Sequence, residues 1–254
     1  MEKLFIKNRK GLKVAVIVDE TENQKGLVFL MHGLLGFKEQ SLLIETAKIF
    51  KENNFTTVSF DTTNGIGESD GVMEELTITG YSEDLEDIIN WSKLQKFYFE
   101  PFILVGHSWG GYCVGNYAAD NSNIKSLILY SPVVSGASYQ EIDKIKQVLK
   151  NWKESGIREW ESQSNLGVVK RLKYQFIEDS LNHDLLKNAK KINCPVLIIR
   201  GDEDASVPLA PQETLFNKIV TKKEFFIIRN GDHDLEKEEN LMEIHNIINK
   251  WIKD

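Results

Sequence analysis

Phe102-Ile103-Leu104-Val105 reads as a buried strand, and it runs without a spacer into Gly106-His107-Ser108-Trp109-Gly110-Gly111 and then the helix-compatible segment Tyr112–Ala119. A strand, a G-x-S-x-G turn and a helix in immediate succession describe a nucleophile elbow, a sharp bend that lifts a serine hydroxyl clear of a sheet. Such a bend strains the backbone at Ser108. It also leaves no room at Gly106 or Gly110 for a side chain, which would collide with the adjoining strand or helix. The pattern by itself is weak, because a bare G-x-S-x-G arises by chance in on the order of one chain in ten of this length. This chain carries a second copy, Gly67-Glu68-Ser69-Asp70-Gly71, preceded by the polar Thr62-Thr63-Asn64 instead of an apolar strand. Ser69 is therefore read as a loop residue and Ser108 as the nucleophile.

Around the elbow, apolar β-branched runs recur at Lys13–Val18, Leu27–Met31, Thr56–Phe60, Ser126–Tyr130, Pro195–Arg200 and Glu224–Ile228, with a weaker run at Leu4–Ile6. With Phe102–Val105 they make eight strands. Amphipathic helical spacing separates them from Leu27 onward: Ser41–Asn53, Tyr81–Lys93, and a closing segment with Leu241, Ile244, Ile248 and Trp251. Continuous apolar strands alternating with such helices specify an α/β fold, a mostly parallel sheet covered on both faces. The first two runs, joined through Arg9-Lys10-Gly11, are expected to form an antiparallel hairpin.

The rhythm breaks once, between Val133 and Ile192. A structureless loop of that length is improbable in a compact domain, and Ile142, Ile145, Leu149 and Trp152 show helical spacing, as does the stretch Leu166–Phe176. Residues 134–192 are expected to form a helical lid, with 1–133 and 193–254 as the core; a structural excursion remote from the chemistry is the plainer alternative. Connections that leave the carboxyl ends of parallel strands emerge beside the site, which favours the lid.

A net charge of −7 argues against nucleic acid or an anionic membrane surface as the main partner. No stretch approaches a membrane span, and the first residues lack the apolar region of a secretion signal, so a cytoplasmic protein is expected. Cys113 and Cys194 give no disulfide framework and no zinc spacing, and both read as buried thiols.

A serine hydroxyl needs a base to take its proton and an acid to orient that base. His233 lies in Asn230-Gly231-Asp232-His233, directly after the last strand, where the carboxyl ends of the strands gather. It is the expected base. His32 and His107 adjoin the glycines of the site and read as shaping residues; His183 and His245 read as ordinary surface or core residues. For the acid, Gly201-Asp202-Glu203-Asp204 follows the seventh strand, and Asp204 is preferred because Asp202 is closer to the strand end and is expected to bond its own loop backbone as an Asx turn. The order Ser108, Asp204, His233 is that of one serine-hydrolase fold and differs from the others. Fixed donors must also meet the charge that develops on the carbonyl oxygen. The Trp109 amide follows the nucleophile at a helix N-terminus, and the Leu34 amide lies in Met31-His32-Gly33-Leu34-Leu35-Gly36 after the third strand; these are the expected oxyanion hole.

With Ser108, His233 and the His32-Gly33 loop in place, the whole chain resembles the α/β-hydrolase superfamily. His32-Gly33-Leu34-Leu35-Gly36, the segment from Phe60-Asp61 to Gly71, and Gly106–Gly111 are similar to the corresponding motifs of lid-bearing bacterial carboxylesterases, including feruloyl and cinnamoyl esterases, and to monoacylglycerol-lipase-like and serine-aminopeptidase-like hydrolases. The resemblance implies that Ser108, Asp204 and His233 are nucleophile, acid and base, and that the insertion forms part of the substrate pocket. The chain departs from those esterases at Thr62-Thr63-Asn64-Gly65-Ile66-Gly67 and at Trp109, a bulky indole beside the nucleophile that either narrows the acyl pocket or stacks on an aromatic acyl group.

The leading expectation is a serine carboxylesterase acting through an acyl-enzyme on a small to medium acyl or aromatic-acyl ester, without cofactor or metal. The expected partner is that small molecule, with no nucleic acid and no membrane span; a homodimer is compatible with the sequence. A peptidase or amidase would use the same triad and need a carboxylate rim, for which Glu154, Glu159 and Glu161 are candidates. A non-catalytic ligand-binding homologue is the third alternative.

Overall fold

The inner strands of the sheet are runs of mostly buried β-branched or aromatic residues, the two edge strands are largely exposed or half-buried, and the order of all eight in the chain fixes what lies between them. The computed structural model describes residues 2–161 and 167–253. Strands β1 (Glu2–Lys7), β2 (Lys13–Asp19), β3 (Gly26–Met31), β4 (Phe55–Phe60), β5 (Phe102–His107), β6 (Ile124–Tyr130), β9 (Val196–Gly201) and β10 (Lys223–Ile228) form one sheet in the order β1-β2-β4-β3-β5-β6-β9-β10. β1 pairs with β2 and β2 with β4 antiparallel; every later pairing is parallel. The eight expected strands and the opening hairpin are all present. β3, β4, β5 and β9 are buried along their whole length, as strands covered on both faces must be.

Alternate residues of each strand point to opposite faces, and each face has its own helices. Val28, Leu30, Ile103, Val105, Ile128 and Ile199 pack against α1 (Ser41–Glu52) and α9 (Glu238–Lys253) through Leu43, Phe50, Ile244 and Ile248. On the other face, Leu27, Phe29, Leu104, Leu127 and Ile198 meet α2 (Ile78–Ser92), α3 (Trp109–Asp120) and α8 (Leu209–Lys218).

Between β6 and β9 lie α4 (Gly136–Gln140), α5 (Asp143–Ser155), the antiparallel pair β7 (Ile157–Glu161) and β8 (Val169–Lys173), α6 (Gln175–Ser180) and α7 (Leu185–Asn188). The helix expected from Ile142, Ile145, Leu149 and Trp152 is α5. The stretch Leu166–Phe176 is corrected: Leu166 lies outside the described residues, residues 169–173 are a strand, and only the end of the stretch enters a helix. Gly156, at φ 74°, closes α5 with a left-handed residue and turns the chain into β7. Trp152 Nε1 then donates to the Leu172 carbonyl at 3.0 Å, so the aromatic that looked like a helix-packing residue also anchors the strand beside it. Among the described residues no helix is long and apolar enough to cross a membrane.

Candidate active site

β5 delivers Ser108 to the head of α3 with φ 54° and ψ −119°, a conformation that an L-residue holds only when its surroundings compel it. The compulsion is steric and hydrogen-bonded. A Cβ on Gly106 would lie 2.5 Å from the Gly110 carbonyl oxygen, and one on Gly110 would lie 2.3 Å from that of His32. Ser108 N–H donates to the Tyr130 carbonyl at 2.9 Å, and its own carbonyl accepts from Val133 N at 3.1 Å and Tyr112 N at 3.2 Å. The bend is thus clamped between β6 and the chain that follows it.

Asp204 and His233 come from loops after β9 and β10 that approach backbone to backbone. A Cβ on Gly201 would lie 1.9 Å from the Gly231 carbonyl oxygen, Glu203 N–H donates to that oxygen at 2.9 Å, and Asp202 N–H donates to Ile228 at 3.0 Å. His233 Nδ1 and Asp204 Oδ2 are 3.0 Å apart. The other oxygen of Asp204 accepts from Ser206 N at 2.8 Å and Val207 N at 3.0 Å. The Asx turn expected at Asp202 is therefore made by Asp204, whereas Asp202 is exposed. The reason is position: Asp204 directly precedes the turn into Val207-Pro208, so its carboxylate reaches those amides. Burial by itself would push the Asp204 carboxyl up. The hydrogen bond and charge of His233, with the two amides, outweigh it and hold the carboxyl at about 2.

His107 stands behind His233. Its Nε2–H donates to the His233 carbonyl at 3.0 Å, with the two rings 4.7 Å apart. Burial first, and the like charge of His233 second, bring the His107 pKa down to about 4. His107 is therefore a neutral donor that fixes the His233 backbone.

The loop after β3 carries Leu34, and three groups hold it. His32 Nδ1 bonds the Gly33 carbonyl at 2.7 Å, while its Nε2 accepts from Thr62 N at 3.0 Å; burial lowers its pKa and keeps it neutral. Tyr81, from α2, donates its hydroxyl proton to Gly33 O at 3.2 Å and accepts from Leu35 N at 3.1 Å. Lys38 closes the loop: its backbone N–H and its ammonium donate to the two Asp61 oxygens at 2.7 and 2.8 Å, and the ammonium also meets Glu68 at 2.6 Å. Burial would drive the Lys38 ammonium toward neutrality, but Asp61, Glu68 and Glu39 reverse this and raise its pKa. Among the described residues, no protein acceptor engages the Leu34 or Trp109 amide.

Nothing in the sequence singles out Tyr81 or Lys38 for this site. Tyr81 reads as one more apolar position of α2, although a buried tyrosine hydroxyl demands a partner, and that demand was the available signal. Lys38 and Asp61 lie 23 residues apart, and only the fold brings them together.

Ser108, Trp109, Leu34 and His233 open on one cavity of about 330 Å³, whose far wall is built from α4, α5, β7 and β8. Asp204 reaches it through His233. Among the described residues no hydrogen bond joins Ser108 Oγ to His233 Nε2, an arrangement that commonly tightens only when substrate is bound. The Trp109 indole is buried against Tyr139 of α4 and Phe176 of α6, with centroids 5.4 and 6.0 Å away, so it packs the junction between core and insertion. His183 bonds Tyr112 and Thr79, and His245 bonds Glu45; neither lines the cavity. Of the carboxylates expected as a rim, Glu161 lines the cavity, Glu159 is paired with Arg171 at 2.7 Å, and Glu154 is exposed on α5.

Among the described residues, two groups of three side chains each bring their possible metal-ligand atoms within 4.8 Å of one another. Glu39, Asp61 and Glu68 already surround the Lys38 ammonium. In the other set, His107, His233 and Asp234, one ring nitrogen of each imidazole is committed to a protein partner. Cys113 and Cys194 are buried thiols, as expected, with pKa values pushed up to about 12 and about 11 by burial.

The family model described as "Serine aminopeptidase, S33" matches residues 22–184. The chain is 27% identical to the mitochondrial palmitoyl-protein thioesterase ABHD10 of Bos taurus, over 70% of this chain and 57% of that protein. Among solved structures, α/β hydrolase domain-containing protein 10 from mouse superposes with TM-score 0.82 at 21% identity, covering 100% of this chain and 99% of that one. Est1E from Butyrivibrio proteoclasticus, with ferulic acid bound, superposes with TM-score 0.80 at 20% identity over 98% and 97% of the two chains.

Proposed function

The chain belongs to the serine aminopeptidase S33 family of α/β-hydrolases and is a hydrolase, and from that premise we propose that it is a serine carboxylesterase working through a Ser108–His233–Asp204 triad. One observation carries the reading. Ser108, held at positive φ, opens on the same cavity as His233, whose ring is already fixed by the buried Asp204 carboxylate.

An ester bound there presents its carbonyl oxygen to the Leu34 and Trp109 amides. Ser108 Oγ attacks the carbonyl carbon and its proton passes to His233 Nε2; as the C–O bond to the alcohol breaks, His233 returns the proton to the leaving oxygen. Water then attacks the acyl-enzyme by the same route and releases the acid. Asp204 stays ionised throughout and stabilises the imidazolium that forms. The Trp109 amide lies at the N-terminus of α3, whose dipole favours the negative tetrahedral intermediate.

Residues 134–192 act as the lid of this site and residues 1–133 and 193–254 as its core. The supporting observation is that Tyr139, Ile142, Ile145 and Trp160 supply the cavity wall facing Ser108. An aminopeptidase reading, which the family description favours, calls for acidic groups to receive a substrate amine, and only Glu161 of the three expected carboxylates reaches the cavity.

The test is a fluorophosphonate probe followed by a panel of p-nitrophenyl, feruloyl and monoacylglycerol esters beside matched amides. Labelling at Ser108 and faster turnover of esters than amides support the reading. A folded protein that neither reacts with the probe nor cleaves any ester is a binding homologue instead.

A further inference from the structure

The hairpin β7–β8 carries four cations, and they divide by side. Arg171 pairs with Glu159 and with Glu74, and Lys173 pairs with Glu75; neither lines the cavity. Arg158 and Lys170 line it, together with Lys144 from α5. Among the described residues, none of these three forms an ion pair. The Arg158 guanidinium is stacked over Trp160 at 4.7 Å and Trp152 at 5.6 Å, which fixes its plane and leaves its fork of donors unused. Lys170 is half-buried, and burial lowers its pKa by more than the negative charge of Asp234 raises it. The carboxylates that reach the same cavity are Glu161, exposed at the rim, and Asp234, beside the base.

A half-buried cation with no carboxylate in contact is costly, and a chain of net charge −7 has carboxylates to spare for pairing. On the other side of the same hairpin they are used. Leaving the cavity-facing cations open makes sense if the ligand brings the missing charge. Resting on the serine-esterase reading above, we propose that Arg158 and Lys170, with Lys144 at the mouth, bind a carboxylate carried by the substrate away from its scissile ester. The planar guanidinium suits two-pronged recognition of that group, and Lys170 adds a point charge beside it.

Two matched pairs test this and tell acyl-side from alcohol-side recognition: the p-nitrophenyl half-ester of adipic acid against p-nitrophenyl hexanoate, and the butyryl ester of 4-hydroxybenzoate against that of 4-hydroxybenzamide. In at least one pair the anionic ester should be favoured in kcat/KM by about tenfold or more, the size of a charge-assisted hydrogen bond retained on binding. That ratio should fall with added salt. In R158Q/K170M, with rates normalised to fluorophosphonate-reactive protein, it should drop to within about twofold of unity, mainly through KM. Turnover of the neutral esters with no anionic preference in either pair overturns this inference alone, as does a preference that survives R158Q/K170M. Failure to cleave any of the four, with Ser108 unlabelled, overturns the esterase reading and this inference together.

Discussion

The two G-x-S-x-G copies share a pattern and nothing else. At Gly106–Gly110 the serine sits at φ 54° between a buried strand and a helix, with both glycines pressed against backbone, and it opens on the cavity. At Gly67–Gly71 the serine is consumed by the fold: Ser69 Oγ donates to the Asp61 carbonyl at 2.7 Å and accepts from Ala15 N at 2.9 Å. The glycines there serve a different purpose. A Cβ on Gly67 would lie 2.2 Å from the Asp61 carboxyl carbon, so its absence makes room for the Lys38–Asp61–Glu68 cluster that holds the Leu34 loop. What distinguishes Ser108 from Ser69 is the strand that delivers it and, among the described residues, a hydroxyl without a hydrogen-bond partner.

Substitution of the two serines gives the widest separation. S108A should lower ester turnover by about 10⁴- to 10⁶-fold and abolish fluorophosphonate labelling, while S69A should keep labelling at full stoichiometry in whatever protein is folded. Next come the carboxylates: D204N should cost about 10²- to 10⁴-fold in kcat, because His233 loses the partner that sets its tautomer, whereas D202N should stay within about twofold. Equal losses in the two would place the acid elsewhere.

Smaller in effect is G110A, which drives a methyl into the His32 backbone and displaces the loop bearing Leu34. A loss of about 10²- to 10³-fold in kcat is expected, the value of one misplaced oxyanion donor. G67A should instead register as a lowered Tm. S69A should cost about 1–3 kcal/mol in urea unfolding, since Ala15 N–H and Asp61 C=O are left unpaired.

The weakest contrast is in pH. His107 has its pKa depressed from 6.5 to about 4, so between these values the unfolded chain binds a proton that the folded chain refuses. Stability contributed by the neutral ring is complete above pH 6.5 and declines as the pH falls toward 4. Urea unfolding of H107Q should lose that slope.

The sheet was legible because burial on both faces writes each inner strand as a nearly unbroken apolar run, and the elbow because its glycines carry a steric requirement that sequence displays. Ser108, Asp204 and His233 were placed by the same logic of strand ends, and the structure brings His233 to Asp204 and to the cavity that Ser108 faces. The β7–β8 hairpin escaped notice. Ile157-Arg158-Glu159-Trp160-Glu161 and Val169-Lys170-Arg171-Leu172-Lys173 alternate charge with apolar groups on a two-stranded ribbon lying off the main sheet, and with no second covered face there is no continuous apolar signature. The Asx turn falls on Asp204 instead of Asp202 because both precede the same turn and the backbone path alone decides between them. Lys38 and Tyr81 were hidden for a simpler reason: their roles consist of contacts across 23 and 48 residues of chain.

The close apposition of Gly201 and Gly231 means that the proposed acid and base ride on what is mechanically one piece, dimensioned by main-chain atoms alone. The opposite wall belongs to a detour between β6 and β9. The cavity wall facing Ser108 and the Asp204–His233 pair are therefore carried by separate stretches of the polypeptide, so that the one can be exchanged without moving the backbone contact that holds the other.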